Sequence, residues 1–228
     1  MRILDRCGAL TGAAYVVLVL AGNTLSTDNS PGPQDAQPGG QRDIDYLHWL
    51  AGSMSGQIGL TLELLGFAAF VLFIGYLSTR IRAGGWLATA AVVGGAVSVA
   101  VKLASGAPMF AAYVLRDDIS RETARVLTNV NGVSFVLDWL PTGVFVACAA
   151  AAALASRTVG RVLGWGGVVV GAVTVAATAV TGVHVMGANA LPFLFCLLWI
   201  LLVSVRLGIR RTSRLASPAV PDAVPVGL

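Results

Sequence analysis

Charge is scarce in this chain. Only 11% of its residues are Asp, Glu, Lys or Arg, against about 25% in a soluble globular domain. Lysine occurs once, at Lys102, and histidine twice, at His48 and His184. These shortages exclude several classes of function. The formal charge of +4 is spread between apolar segments and makes no basic face, so nucleic acid is not expected as a partner. Two histidines without a His-Glu-x-x-His or His-x-x-x-His spacing carry no metal signature. The three cysteines, Cys7, Cys148 and Cys196, are too few for a disulfide framework. Cys148 and Cys196 fall inside apolar runs and read as small packing residues. There is no haem-attachment motif and no phosphate-binding glycine loop, so no cofactor and no metal is expected.

What the chain has is apolar length. Hydrophobic residues make up 56% of it, and the mean hydropathy is +0.80. Six apolar runs lie near residues 7–25, 56–79, 85–105, 133–154, 162–184 and 191–207. Runs of about 20 apolar residues match the roughly 30 Å hydrocarbon core of a bilayer. The expected fold class is therefore all-α: a polytopic membrane protein whose six transmembrane helices form a bundle in the lipid bilayer. Residues 1–214 read as one membrane domain. Pro218, Pro221 and Pro225 mark residues 215–228 as a disordered cytoplasmic tail.

Basic residues alternate between the runs. One set holds Arg2, Arg6, Arg80, Arg82, Arg157, Arg161, Arg206, Arg210, Arg211 and Arg214. The other holds Arg42, Lys102, Arg116, Arg121 and Arg125, diluted by acids such as Asp43, Asp45, Asp117 and Glu122. The positive-inside rule assigns the first set, with both chain ends, to the cytoplasm. The arginine, alanine, glycine and valine bias points to a GC-rich bacterial genome, hence a bacterial plasma membrane. The first run reads as an uncleaved signal anchor, because Ala21-Gly22-Asn23 is a poor cleavage site. Trp49, Trp86, Trp139 and Trp165 fall near run ends, as an aromatic belt would.

Two segments are expected outside the membrane. Residues 24–45 are rich in Pro, Gly, Asp and Gln and read as a flexible external loop. Residues 106–132 read as an external helical loop. Asp117, Asp118 and Ser120 offer caps for an amphipathic helix before the fourth span, with Val126, Leu127 and Val130 as its apolar stripe and a break at Asn131-Gly132. Glycines recur at spacings of three and four: Gly52, Gly56 and Gly59, then Gly160, Gly164, Gly167 and Gly171. Such a face packs helices closely inside the bundle; a homodimer or a partner membrane protein is the alternative use. Acid, basic turn, Trp and base recur in one order, from Glu63 to Lys102 and from Asp138 to His184, as a weak parallel repeat.

Ionisable groups in or beside spans are the natural functional candidates. Glu63, Lys102, Asp138, His184 and His48 all fall in the external half by depth, and together they form the candidate polar pocket. Each has a plainer role. Lys102 can snorkel, Asp138 can sit in interfacial water, and the histidines can make interfacial hydrogen bonds. Glu63 is the hardest to dismiss, because a buried acid needs a partner, a proton or a wet cavity. Lys102, on the next span, is the partner to test first. No catalytic residues are assigned. Ser53, Ser55 and Ser134 make no nucleophile motif with either histidine.

Two pieces stand out within residues 62–154: 66–82, ending Leu-Ser-Thr-Arg-Ile-Arg, and 133–145, containing Phe135-Val136-Leu137-Asp138-Trp139-Leu140-Pro141. With them the segment resembles an uncharacterised group of bacterial six-span proteins, the DUF4386-like family. The resemblance implies a six-helix bundle and brings no activity. The leading expectation is a non-enzymatic membrane protein whose outward polar pocket binds a lipid or small amphiphile, or assists a partner. The alternatives are a small proton- or ion-coupled secondary transporter, with Glu63 and Asp138 as carriers, and a metal-dependent membrane hydrolase.

Overall fold

A computed structural model describes residues 2–27, 41–181 and 190–213, and these are almost entirely helical, without a strand. The helices are α1 (Arg2–Thr27), α2 (Gln41–Gly52), α3 (Met54–Ile81), α4 (Trp86–Val114), α5 (Arg121–Leu137), α6 (Trp139–Ala155), α7 (Arg161–Thr181) and α8 (Leu191–Ser213). A 3-10 turn, Arg82–Gly84, joins α3 to α4. Six segments are long and apolar enough to cross a membrane, with α5 and α6 together forming the fourth. The chain is an all-α, multi-pass membrane protein.

Helix length and surface chemistry agree on this. The 28 residues of α3 span about 42 Å at 1.5 Å per residue, more than the hydrocarbon core needs. Val71, Leu72, Val93, Val173 and Leu202 all point out of the bundle, exposed. In water these faces would cost free energy in proportion to their area. Against lipid they cost nothing, and each helix meets its own backbone hydrogen-bonding needs.

The spans close into a ring. α1 lies along α3, α3 beside α4, α4 beside α6, α6 along α7, α7 beside α8, and α8 returns to α1. Close approach and buried polar bonds hold the joints, as expected where apolar burial cannot drive helices together. A Cβ on Gly59 would lie 2.7 Å from the Gly22 carbonyl oxygen, and one on Gly143 would lie 2.9 Å from that of Gly171. Only glycine lets those backbones meet. Ser204 of α8 donates to the Ala9 carbonyl and accepts from the Ala13 amide at 2.8 Å, closing the ring onto α1. The Trp199 indole N–H donates to the Leu163 carbonyl at 2.8 Å, joining α8 to α7. In the centre, Tyr15 stacks on Phe70 at 4.3 Å, and Phe70 meets the edge of Phe145 at 5.2 Å.

One end of the bundle is basic. There Arg80 pairs with Asp5 at 2.7 Å, and the Thr158 hydroxyl donates to the Arg80 carbonyl at 2.9 Å, tying the two turns together. The other end carries a small helical cap. Leu47 of α2, Ala112 of α4 and Ala124 of α5 form a separate apolar cluster there. The Thr128 hydroxyl donates to Asp43 at 2.8 Å across the same junction.

Several boundaries differ from the sequence reading. α4 does not stop near Ser105 but continues to Val114 through Pro108. Membrane helices tolerate the N–H that proline lacks, because neighbouring groups compensate the freed carbonyl. The amphipathic helix α5 is present, capped by Ser120, whose Oγ accepts from the Thr123 amide at 3.2 Å. It runs unbroken past Asn131-Gly132 and ends at Asp138 instead. Both ends of the expected loop 24–45 are helical, since residues 24–27 belong to α1 and 41–45 to α2. Trp86 and Trp165 are exposed near span ends, whereas Trp139 is buried in the bundle and is no belt residue. Gly59 faces Gly22 and Ser26, and Gly171 faces Ala147 and Gly143, so these glycines pack helices within one chain. The expected tail 215–228 and the centre of the first loop, 28–40, lie outside the described residues.

Candidate functional site

Three of the five sequence-predicted residues meet at one level. Glu63 lies about 27 Å along α3 from Ile81, Lys102 about 24 Å along α4 from Trp86, and Asp138 about 25 Å from Ala155, at 1.5 Å per residue. All three distances run from the basic end, so the groups share a level toward the opposite end of the bundle.

Lys102 pairs with Asp138, not with Glu63. Its Nζ stands 3.1 Å from Asp138 Oδ2, with side-chain exposures of 6% and 0%. Two i, i+4 pairs face each other across the α4–α6 joint. Thr142, one turn beyond Asp138, donates to Asp138 Oδ2 at 3.2 Å. Ser98, one turn from Lys102, lies 2.9 Å from the Thr142 hydroxyl. The Lys102 ammonium also sits 3.7 Å from the centre of the Phe135 ring and 4.9 Å from that of Phe193. Phe193 in turn stacks on Trp139 at 6.0 Å. The ammonium is therefore held by one carboxylate and two ring faces. The Lys102–Asp138 contact is an ion pair without hydrogen-bond geometry, and Lys102 Nζ, Asp138 Oδ1 and Trp139 Nε1 are all buried without a hydrogen-bond partner among the described residues.

Glu63 and Lys102 both open onto a cavity of about 610 Å³ between α1, α3, α4, α5 and α8. Its size falls within the usual range of small-molecule sites, about 300–1,000 Å³. Tyr46 and Leu50 of α2 line it from the capped end. Glu63 is partly buried, and Ser26 donates to its Oε1 at 3.4 Å, a long bond. The Tyr46 phenol donates to the Ser26 carbonyl at 3.4 Å. Burial, and then the Glu63 charge, hold the Tyr46 hydroxyl above its usual pKa, so it stays a donor.

The other two candidates do not join them. His48 is exposed on the cap, with Nε2 3.8 Å from Asp117 Oδ1. His184 lies outside the described residues. Among the described residues no three His, Cys, Asp or Glu side chains come together as metal ligands. Sequence reasoning missed Ser26, Tyr46, Ser98, Phe135, Thr142 and Phe193. Ser98 and Thr142 were findable, as polar residues one turn from a charged one on the same helix. The others depend on which helices become neighbours.

No family model, curated protein or solved structure matches this chain.

Proposed function

We propose that this is a non-enzymatic protein of the bacterial plasma membrane that binds an amphiphile in the cavity beside Glu63 and Lys102. One observation carries the reading: a space of about 610 Å³ between the long apolar helices, apolar over most of its wall and bearing two charged groups. Such a wall suits a molecule with an apolar body and a polar head. The arginines at the opposite end favour a cytoplasmic basic face, with the cavity opening outward. The resemblance of residues 62–154 to uncharacterised six-span proteins is compatible with this role.

Native mass spectrometry in mild detergent tests the reading. The wild-type chain should carry a stoichiometric lipid or other amphiphile. Gly132 lines the cavity, and a Cβ there meets nothing within 4 Å. Gly132→Trp therefore adds an indole at the cavity wall from a position where the first carbon has room, and it should displace the adduct. A bare wild-type chain, or an adduct that Gly132→Trp leaves in place, would overturn it.

A second reading has its own support. The regular helix of the fourth span is interrupted for one residue at Asp138, next to Lys102, although Asp138 keeps helical dihedral angles. Helices interrupted within the membrane are common at the substrate sites of secondary transporters. Transport predicts that Glu63→Gln abolishes uptake in vesicles while leaving the protein folded.

A further inference from the structure

We infer that the cavity selects lipophilic organic cations. The inference rests on the cavity reading above and adds the charge and class of the ligand. Glu63 and Lys102 are the only acidic or basic side chains on the wall among the described residues. Lys102 is already matched by Asp138 behind it, at 3.1 Å. Two carboxylates thus stand against one ammonium, so in the ionised state of both the excess negative charge is that of Glu63. Its hydrogen-bond partner is a hydroxyl, Ser26, which carries no charge. A cation entering the cavity completes this balance. An anion would add a third negative charge in a medium that screens poorly.

The rest of the wall agrees. Six aromatic side chains line it: Tyr46, Phe67, Phe110, Tyr113, Phe135 and Phe193. Ring faces attract cations, most strongly where water is absent. Phe135 and Phe193 already show this use, since both rings face the Lys102 ammonium. At the depth of Glu63 the ligand must also be soluble in hydrocarbon. That excludes small hydrated ions and favours a cation whose charge is surrounded by apolar groups.

Tetraphenylphosphonium and tetraphenylborate separate charge from shape, because they are nearly the same size and opposite in sign. Both would be titrated by equilibrium dialysis into the full chain in a neutral detergent. The phosphonium should bind at one ion per chain, at least about tenfold more tightly than the borate, a difference of 1.4 kcal/mol. Glu63→Gln should erase the preference and Glu63→Asp should keep most of it. A melting curve on each variant separates a lost site from a lost fold, and the wild-type comparison needs no variant. Equal binding of the two ions, a preference for the borate, or an unchanged preference in folded Glu63→Gln would overturn the charge selection while leaving the cavity reading intact. If neither ion binds and the wild-type chain carries no amphiphile, both readings fail.

Discussion

Lys102 and Asp138 show why a buried charge is tolerated here. Each is nearly or completely removed from solvent, and each has the other as its counterion. Removing one partner strands the other, which costs about 3–5 kcal/mol. Lys102→Met should therefore lower the melting temperature of the purified protein sharply. The double variant Lys102→Met, Asp138→Leu should recover most of that loss, because an apolar pair can replace a buried ion pair. A double variant as unstable as the single one would show that the surroundings need the charges themselves. Gly59 is the second sensitive position. Gly59→Ala sets its methyl 2.7 Å from backbone atoms of Gly22 and Ser26, so α1 and α3 must part. About 1–3 kcal/mol of destabilisation is expected, the usual cost of overpacking, read as a lower melting temperature. The ionisable residues themselves were legible from the sequence, since charges stand out in apolar runs. The partner of Lys102 was not. Glu63 is on the adjacent span, whereas Asp138 stands at the start of α6, which packs beside α4 because Gly94 lets the Phe145 backbone approach it.

The elements were read well where periodicity or a cap marks them, and poorly where helices continue past the membrane. Ser120 caps α5 as its sequence position suggests. Ser120→Ala should cost about 1 kcal/mol and should speed hydrogen exchange at the first amides of α5, leaving those of α7 unchanged. The extension of α4 to Val114 was not legible, because Pro108 reads as a helix boundary in water. It matters for the site, since the extension carries Gly106, Met109, Phe110 and Tyr113 to the cavity wall. The boundary at Asp138 did have a signal, since Pro141 lacks the N–H that would bond the Leu137 carbonyl. Pro141 stands in the first turn of α6, where a missing N–H costs least.

As a whole, the molecule divides its chemistry between two ends. Arg80, Arg82, Arg157 and Arg161 cluster at the turns of one end, and the cavity with its helical cap occupies the other. The distribution of arginine predicts that the turn end faces the cytoplasm. Single cysteines at Thr158 and at Asp117, in a background lacking Cys7, Cys148 and Cys196, would check this. An impermeant maleimide should label Asp117→Cys in intact cells and Thr158→Cys only after lysis. The reverse pattern would place the cavity mouth inside. Apolar run length and arginine placement are properties of the chain taken one segment at a time. They mark six segments as long and apolar enough to cross a bilayer and predict which side each turn prefers, because the bilayer acts on every segment separately. The site is of another kind. Lys102 meets Asp138, and Glu63 meets Ser26, only because the ring of helices closes in one order. That order depends on where glycines let backbones approach and where buried hydroxyls find carbonyls, and both are contacts between residues far apart in the chain.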